Sequence, residues 1–421
     1  MALKAIIIGL GYVGLPLARA ASESGIEVLG LDLNRRIVDG LNAGSSHIDD
    51  LSDADIAKLL TTGFRATDDA SCITDADIVV ICVPTPLNES GGPDLAAVIG
   101  ATTVVSEHLT PGLTVVLEST TYPGTTEEIL KPILEGTGRV CGTDFFLAFS
   151  PERIDPGNRQ YDIRNTPKVV GGVDERSTAK AVAFYSRFIE QVVEARGTRE
   201  AETAKLLENT YRHVNIALVN EMAQFCFSMG IDIWDVIKLA KTKPFGFQSF
   251  TPSAGVGGHC IPIDPNYLAY KVRADLDRPF RFVELAQEIN QGMPPYVSRR
   301  LQDLLNKHSK AVRGSTVLLL GVTYKANISD RRESPAVPLA KRLLDLGSTL
   351  RYHDPHIDNW DVDGSAIDQA TDLPTALAAA DAVIIVQAHR EYVDGADLIA
   401  ASGVPVLDTT GKFAGATIER L

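Results

Sequence analysis

Cysteines fall at 72, 82, 141, 226 and 260, and one of them, Cys260, stands in a glycine-rich stretch, GVGGHCIPIDP (255–265). Glycines let a loop bring main chain close to a ligand. A thiol beside His259, with Asp264 following, has the surroundings of a cysteine tuned for nucleophilic attack. Taken alone, the same stretch also fits a small buried hydrophobe. The other four cysteines sit in apolar or helical contexts and read as buried filler.

Three further groups could do chemistry. Lys205 and Asn209 are four residues apart and share a helix face, with Arg212 about one turn further on. Such a stripe is either part of a site or a solvated face. Glu152, in SPERIDPGN (150–158), directly follows an apolar run, where ligands bind in open α/β sheets. Its other reading is a surface-loop glutamate. Lys325 and Arg332 bracket a basic segment after the run 315–321. Arg suits bidentate phosphate contacts and Lys supplies a point charge, so this is an anion site or a solvated loop.

The strongest local signal is Gly9-Leu10-Gly11-Tyr12-Val13-Gly14, which follows a strand, opens a helix, and has Asp32 eighteen residues after Gly14 at the end of the next strand. The first glycine permits the tight turn. The second lets main chain approach a pyrophosphate, and the third lets helix pack on strand. The helix N-terminus offers N–H groups and a positive dipole end to phosphates. Asp32 would accept hydrogen bonds from ribose hydroxyls and repel a 2′-phosphate, so the expected cofactor is NAD rather than NADP, with Arg35 and Arg36 close by.

KAIIIG (4–9), IEVLGLD (26–32), ADIVVICV (76–83), TVVLEST (114–120) and FFLAFSPE (145–152) read as buried strands separated by helices. Residues 199–241 change to helical periodicity, with a break expected at Gly230. Leu206, Leu207, Val214, Ala217, Leu218 and Met222 can form one apolar face there. That face serves either pairing of two subunits or packing within one chain. Strand signals return at 315–321, 350–354, 380–386 and 404–408. The halves echo each other, AIIIGLGYVG against VLLLGVTYKA and VLGLD against LRYHD. The second copy has lost the glycine fingerprint and is expected to bind something other than a dinucleotide. The fold class is α/β, two Rossmann-like doubly wound parallel-sheet domains joined by a long central helix.

Composition narrows the function. The chain has 421 residues, enough for two or three domains, and a formal charge of -14 argues against a nonspecific nucleic-acid binder. No apolar run approaches a membrane span of about 20 residues. The KAIIIGL segment faintly mimics an export signal, but it carries the glycine fingerprint. Scattered, odd-numbered cysteines without CxxC fit a reducing cytoplasm and give no sign of a metal site.

Together, GLGYVG, CVPTP (82–86), STTYPGTT (119–126), SPERIDPGN, AKLLENTYR (204–212), GVGGHCIPIDP and YKANISDRRESP (324–335) resemble the UDP-sugar/GDP-mannose 6-dehydrogenase family over nearly the whole chain. The resemblance implies an NAD-binding domain over 1–198, a central helical dimerisation region over 199–305 carrying the cysteine loop, and a UDP-sugar domain over 306–421. It implies a homodimer or higher homo-oligomer, and a four-electron oxidation of a sugar C6 alcohol to a carboxylate at the expense of two NAD⁺. In that scheme Lys205, Asp264 and a water assist the first oxidation, and Cys260 traps the aldehyde as a thiohemiacetal that becomes a thioester. Lys205 and Asn209 hold oxyanions, Glu152 activates the hydrolytic water, and Thr120 sits near the nicotinamide. Gly9, Gly11, Tyr12, Val13, Gly14, Asp32, Arg36, Thr85 and Thr120 are the cofactor residues it implies. Glu152, Arg153, Ile154, Lys205, Asn209, Arg212, Gly257, Tyr324, Lys325 and Arg332 are those it implies for the nucleotide-sugar.

PERIDPGN, LLENTYRHVNIALVNE and TKPFGF (242–247) look most like the branch that oxidises UDP-N-acetylglucosamine. UDP-N-acetylmannosamine and UDP-glucose are the alternative substrates. Ser329, Thr410, Ile37 and the Pro252–Gly255 stretch depart from the family pattern. These departures bear on the sugar and on the Arg36 contact. A two-electron hydroxyacid dehydrogenase needs neither Cys260 nor a second α/β unit, and a silent dinucleotide sensor needs none of the reactive set.

Overall fold

The computed structural model describes residues 3–88, 91–155, 158, 160–258 and 260–421. His259 and the Pro156-Gly157 pair of the SPERIDPGN motif lie outside the described residues. The chain separates into two compact units, divided within the long helix Thr198–Ser228 between Glu208 and Asn209. The first unit runs to Glu208 and takes in Asn266–Arg278. The second comprises Asn209–Pro265 and Pro279–Leu421.

In the first unit the strands are Lys4–Ile8 (β1), Glu27–Leu31 (β2), Arg65–Thr67 (β3), Ile78–Ile81 (β4), Thr114–Leu117 (β5), Phe146–Phe149 (β6), Lys168–Gly172 (β7) and Val192–Glu194 (β8). They form one sheet in the order β3-β2-β1-β4-β5-β6-β7-β8. All neighbours are parallel except β6 and β7. The continuous apolar runs are explained by burial on both faces. Alternate residues feed separate cores, Ile7, Val80 and Val116 on one side and Ile6, Val79 and Val115 on the other.

The second unit repeats the plan. Its strands are Thr316–Leu320 (β9), Thr349–His353 (β10), a short ribbon of Asp361–Val362 (β11) and Ser365–Ala366 (β12), then Asp368–Gln369 (β13), Ala382–Ile385 (β14), Val406–Asp408 (β15) and Ile418–Arg420 (β16). The main sheet is ordered β13-β10-β9-β14-β15-β16 and is parallel throughout. Both sheets therefore reverse strand order at the same place, between first and fourth strands, which is where open α/β sheets bind ligands.

The sequence echo is a structural one. Gly9 N–H bonds Leu31 O at 2.9 Å and Gly321 N–H bonds His353 O at 3.0 Å. Leu10 N–H donates to Asp32 at 2.9 Å, and Val322 N–H to Asp354 at 2.7 Å. The copies then diverge. Thr323 and Ala326 stand where Gly11 and Gly14 stand in the first copy. Asp354 is buried against His389 at 3.2 Å, so it presents no carboxylate to a ribose.

The long helix ends at Ser228, and Gly230 follows with φ +69°, a left-handed turn that lets the chain restart as the helix Ile233–Ala240. The single apolar face expected on it is not formed. Leu206 and Ala217 are buried, whereas Leu207, Leu218 and Met222 are exposed. Adjacent positions such as 206 and 207 diverge by about 100° around a helix, so one set packs inward while the other faces away. Among the described residues no helix is long and apolar enough to cross a membrane.

Candidate active site

In the first unit, the loop after β1 is shaped around main chain. A Cβ at Gly9 would meet Cys82 O at 2.7 Å, and one at Gly14 would meet Gly9 O at 1.9 Å. At Gly11 there is open space within 4 Å. Gly9 has φ +90°, a conformation that a side chain would strain. The helix Gly14–Glu23 has no side-chain cap at Val13 and no acid in its first turn. Its N-terminal groups and dipole are thus left to an anion. Tyr12 and Val13 are half-buried against the core. Asp32 accepts from Leu10 N–H and from Asn34 N–H at 2.8 Å, one bond to each oxygen, which anchors the carboxylate beside the glycine loop. Arg36 is exposed near the start of the next helix, while Arg35 faces Asp68 at 3.7 Å. These features fit a dinucleotide.

Thr85 and Thr120 are brought together. Thr85 is buried, and its hydroxyl donates to Thr120 O at 2.8 Å. Tyr267 donates to Thr85 O. Sequence reasoning missed Tyr267, because nothing in the local pattern ties position 267 to position 85. It also missed Glu202, a buried acid that accepts from Gly124 N–H (2.6 Å), Thr126 N–H (3.0 Å) and the Thr126 hydroxyl (2.7 Å). Burial pushes the Glu202 carboxyl up to about 7, against the pull of those donors.

Glu152 is held on several sides. Its Oε1 accepts from Arg153 N–H at 2.6 Å and from Ile154 N–H at 2.5 Å. Lys168 reaches Oε2 at 3.4 Å, and Lys205 donates to the Glu152 carbonyl at 2.5 Å. Arg153 forks onto Glu208 and donates to Pro167 O at 2.7 Å, so in this structure its guanidinium clamps the loop. Lys205 is buried on the long helix.

In the second unit, Cys260 is exposed. The other cysteines differ, Cys82 and Cys226 being buried and Cys72 and Cys141 half-buried. Burial raises the Cys72 thiol, pushes Cys141 up to about 11 and lifts Cys82 well above the usual range, so these three are poor thiolates. Asp264 N–H bonds Cys260 O at 2.8 Å, and the buried Asp264 carboxylate accepts from Asn209 at 2.5 Å. The glycines before Cys260 are packed on the 324–335 segment. A Cβ at Gly257 would meet Glu333 O at 2.6 Å and Tyr324 Cβ at 2.8 Å, and Gly258, with φ +88°, lies against the Tyr324 ring. Lys325 is half-buried, while Arg332 is exposed and forks onto Asp330. Arg212 is exposed on the long helix.

Three family models match the chain in order: the NAD binding domain of the UDP-glucose/GDP-mannose dehydrogenase family over residues 3–189, its central domain over 199–292 and its UDP binding domain over 318–413. The chain belongs to the UDP-glucose/GDP-mannose dehydrogenase family. It is accordingly an NAD-dependent nucleotide-sugar dehydrogenase with a UDP binding domain. It is similar to a UDP-N-acetyl-D-mannosamine dehydrogenase of Methanococcus maripaludis, 33% identical over 393 residues, covering 92% of this chain and 87% of that one. Among solved structures it resembles the UDP-D-ManNAc dehydrogenase of Pyrococcus horikoshii, at TM-score 0.90 and 30% identity, covering 99% of this chain and 98% of the other. It also resembles an NDP-N-acetyl-D-galactosaminuronic acid dehydrogenase of Methanosarcina mazei, at TM-score 0.83 and 31% identity, covering 100% and 94%.

Proposed function

We propose that this enzyme oxidises C6 of a UDP-N-acetylhexosamine from primary alcohol to carboxylate through a covalent intermediate on Cys260, for cell-surface polysaccharide precursor synthesis. The observation that carries the reading is an exposed thiol at the end of a glycine loop too tight for side chains, with Asp264 bonded to the Cys260 carbonyl and to Asn209.

Gly9, Gly11, Tyr12, Val13, Gly14, Asp32, Arg36, Thr85 and Thr120 would hold NAD⁺, which when bound would supply the hydride acceptor for both oxidations of C6. Lys205, Asp264 and a water take up the hydroxyl proton. The Cys260 sulfur then bonds to the aldehyde carbon, and Lys205 and Asn209 hold the oxyanion by hydrogen bonds. Glu152 removes a proton from water, whose oxygen adds to the thioester carbon as the C–S bond breaks and the electron pair returns to sulfur. Per sugar, two NAD⁺ and one water give two NADH, the carboxylate and three protons. Arg153, Ile154, Arg212, Gly257, Tyr324, Lys325 and Arg332 hold the nucleotide-sugar.

The motifs PERIDPGN and TKPFGF favour UDP-N-acetylglucosamine. The likeness to UDP-N-acetyl-D-mannosamine dehydrogenases favours its mannosamine epimer equally. The test is NADH yield per limiting sugar with UDP-N-acetylglucosamine, UDP-N-acetylmannosamine and UDP-glucose in parallel. Two NADH from one N-acetylated sugar is the expected result. One NADH per sugar would remove the covalent role of Cys260, and two from UDP-glucose alone would overturn the N-acetylhexosamine assignment.

The protein acts in the cytoplasm as a homodimer or higher homo-oligomer. Leu218, Met222, Phe225 and Met229 recur at helical spacing, all exposed, and support self-association. Sedimentation equilibrium giving only monomer would exclude it.

A further inference from the structure

We propose that Lys168 and Glu118 form a positioning pair that holds the Glu152 carboxylate in the orientation from which it takes the proton of the hydrolytic water. This rests on the reading of Glu152 given above and adds two residues to it, neither of which touches substrate.

The topology makes the arrangement. β5 and β6 are parallel, so Glu118 and Glu152 leave the sheet at the same end. β7 is antiparallel to β6, with Phe149 opposite Gly171. Continuing that register past the end of β6 sets Lys168, the first residue of β7, opposite Glu152. The Lys168 ammonium lies 3.1 Å from Glu118 Oε1 and 3.4 Å from Glu152 Oε2. Tyr185 donates to Glu118 Oε1 at 2.5 Å, and the Lys168 ammonium sits over its ring. Side-chain exposure rises along the row, from 0% at Glu118 through 5% at Lys168 to 12% at Glu152.

A buried pair kept only for stability would be complete as Glu118 and Lys168, which together are neutral. Recruiting a second carboxylate leaves a net negative charge in a nearly dry place, an arrangement that stability alone disfavours. The row instead ends on its most exposed member. The other Glu152 oxygen is already fixed by the Arg153 and Ile154 N–H groups, and Arg153 is fixed in turn by Glu208 and Pro167 O. The ammonium therefore settles the remaining freedom of the carboxylate, its rotation. Burial works to lower the Lys168 pKa, but Glu118 and Glu152 outweigh it and keep the ammonium charged. Glu118 thus has a reason to be there, since it retains the proton on Lys168 without competing for water.

In the step affected, the water proton passes to Glu152, the water oxygen bonds to the thioester carbon, and the C–S bond breaks with its electron pair leaving on Cys260. The test is stopped-flow NADH formation in the whole enzyme with NAD⁺ and the UDP-sugar it turns over best. The variants are Glu152→Gln and the charge-balanced double variant Glu118→Gln/Lys168→Met, which leaves no orphan buried charge. In the double variant the initial burst of NADH should keep its rate and amplitude. Steady-state kcat should fall about ten- to a hundredfold, KM for the UDP-sugar should fall with it so that kcat/KM holds, and intact-mass spectrometry should find an adduct on Cys260. Burst and steady state falling together would make the pair merely structural, and an unchanged kcat would also overturn the proposal. If Glu152→Gln itself shows no burst and no adduct, the reading of Glu152 fails and the pair's role with it. If Glu152→Gln shows both and the double variant neither, only the pair's role fails.

Discussion

Asn209 donates its side-chain amide to the buried carboxylate of Asp264 at 2.5 Å, tying the long helix to the residue that ends the cysteine loop. Two side chains singled out for their chemistry are thus also partners in holding that loop. Asn209→Ala removes a donor from a buried charge. Stability should drop by about 1–3 kcal/mol, and kcat should fall by about tenfold or more. Denaturant melts and steady-state kinetics on the same preparation check both, and an unchanged kcat would reduce the contact to scaffolding.

Cys260→Ser tests the covalent route. Cys260 is exposed, so the substitution should leave the melting temperature where it is. NAD binding by calorimetry should stay within about twofold, while overall oxidation should fall by about a thousandfold or more. Full two-NADH turnover by the serine variant would mean that the aldehyde is oxidised without a thioester.

Gly257→Ala places a methyl group 2.6 Å from Glu333 O and 2.8 Å from Tyr324 Cβ. Both neighbours are close to main chain and cannot swing aside, so the loop itself must move. Stability should fall by about 1–3 kcal/mol, and KM for the UDP-sugar should rise more than KM for NAD. An equal rise in both would detach Gly257 from the sugar side of the site.

His213 is buried, and desolvation lowers its pKa from the ordinary 6.5 to about 4. Between those values the unfolded chain binds a proton that the folded chain does not. Its contribution is therefore complete above pH 6.5 and is lost as pH falls toward 4, by about 3 kcal/mol at most. The Asn290 amide lies 3.3 Å from its Nδ1, a contact that a neutral ring can accept. Denaturation of the native protein and of His213→Leu at pH 5 and 7.5 should show a smaller acid loss in the variant. Parallel losses would assign the acid limb to other groups.

Much of the architecture was legible before any coordinates. The runs that became β1, β4, β5 and β6 are uninterrupted because both sheet faces are covered, and local burial writes itself into local composition. The break at Gly230 was readable for the same local reason, since a left-handed residue favours glycine. The helix 198–228 was misread in one respect. Its apolar residues divide into a buried set and an exposed set, and periodicity cannot tell which side a helix turns inward.

Of the proposed site, only the residues assigned a reactive role were legible. Cys260, Glu152, Lys205, Asn209 and Asp264 carry their chemistry in their own side chains and recur in recognisable motifs. Glu118, Lys168, Tyr185, Glu202 and Tyr267 carry none that a local window reveals. Glu118 falls inside the run 114–120 read as a strand, and the strand that Lys168 opens was not among those read from the sequence.

By itself the sequence marked the candidate reactive residues and the strands β1, β2, β4, β5, β6, β9, β10, β14 and β15, because residue type and two- or 3.6-residue spacing are local properties. Tertiary structure alone decided that Lys168 faces two carboxylates, that Tyr267 reaches Thr85 and that Asp354 is sealed by His389. The first depends on the antiparallel pairing beside β6, and all three bring together residues whose separation along the chain leaves no trace in either neighbourhood.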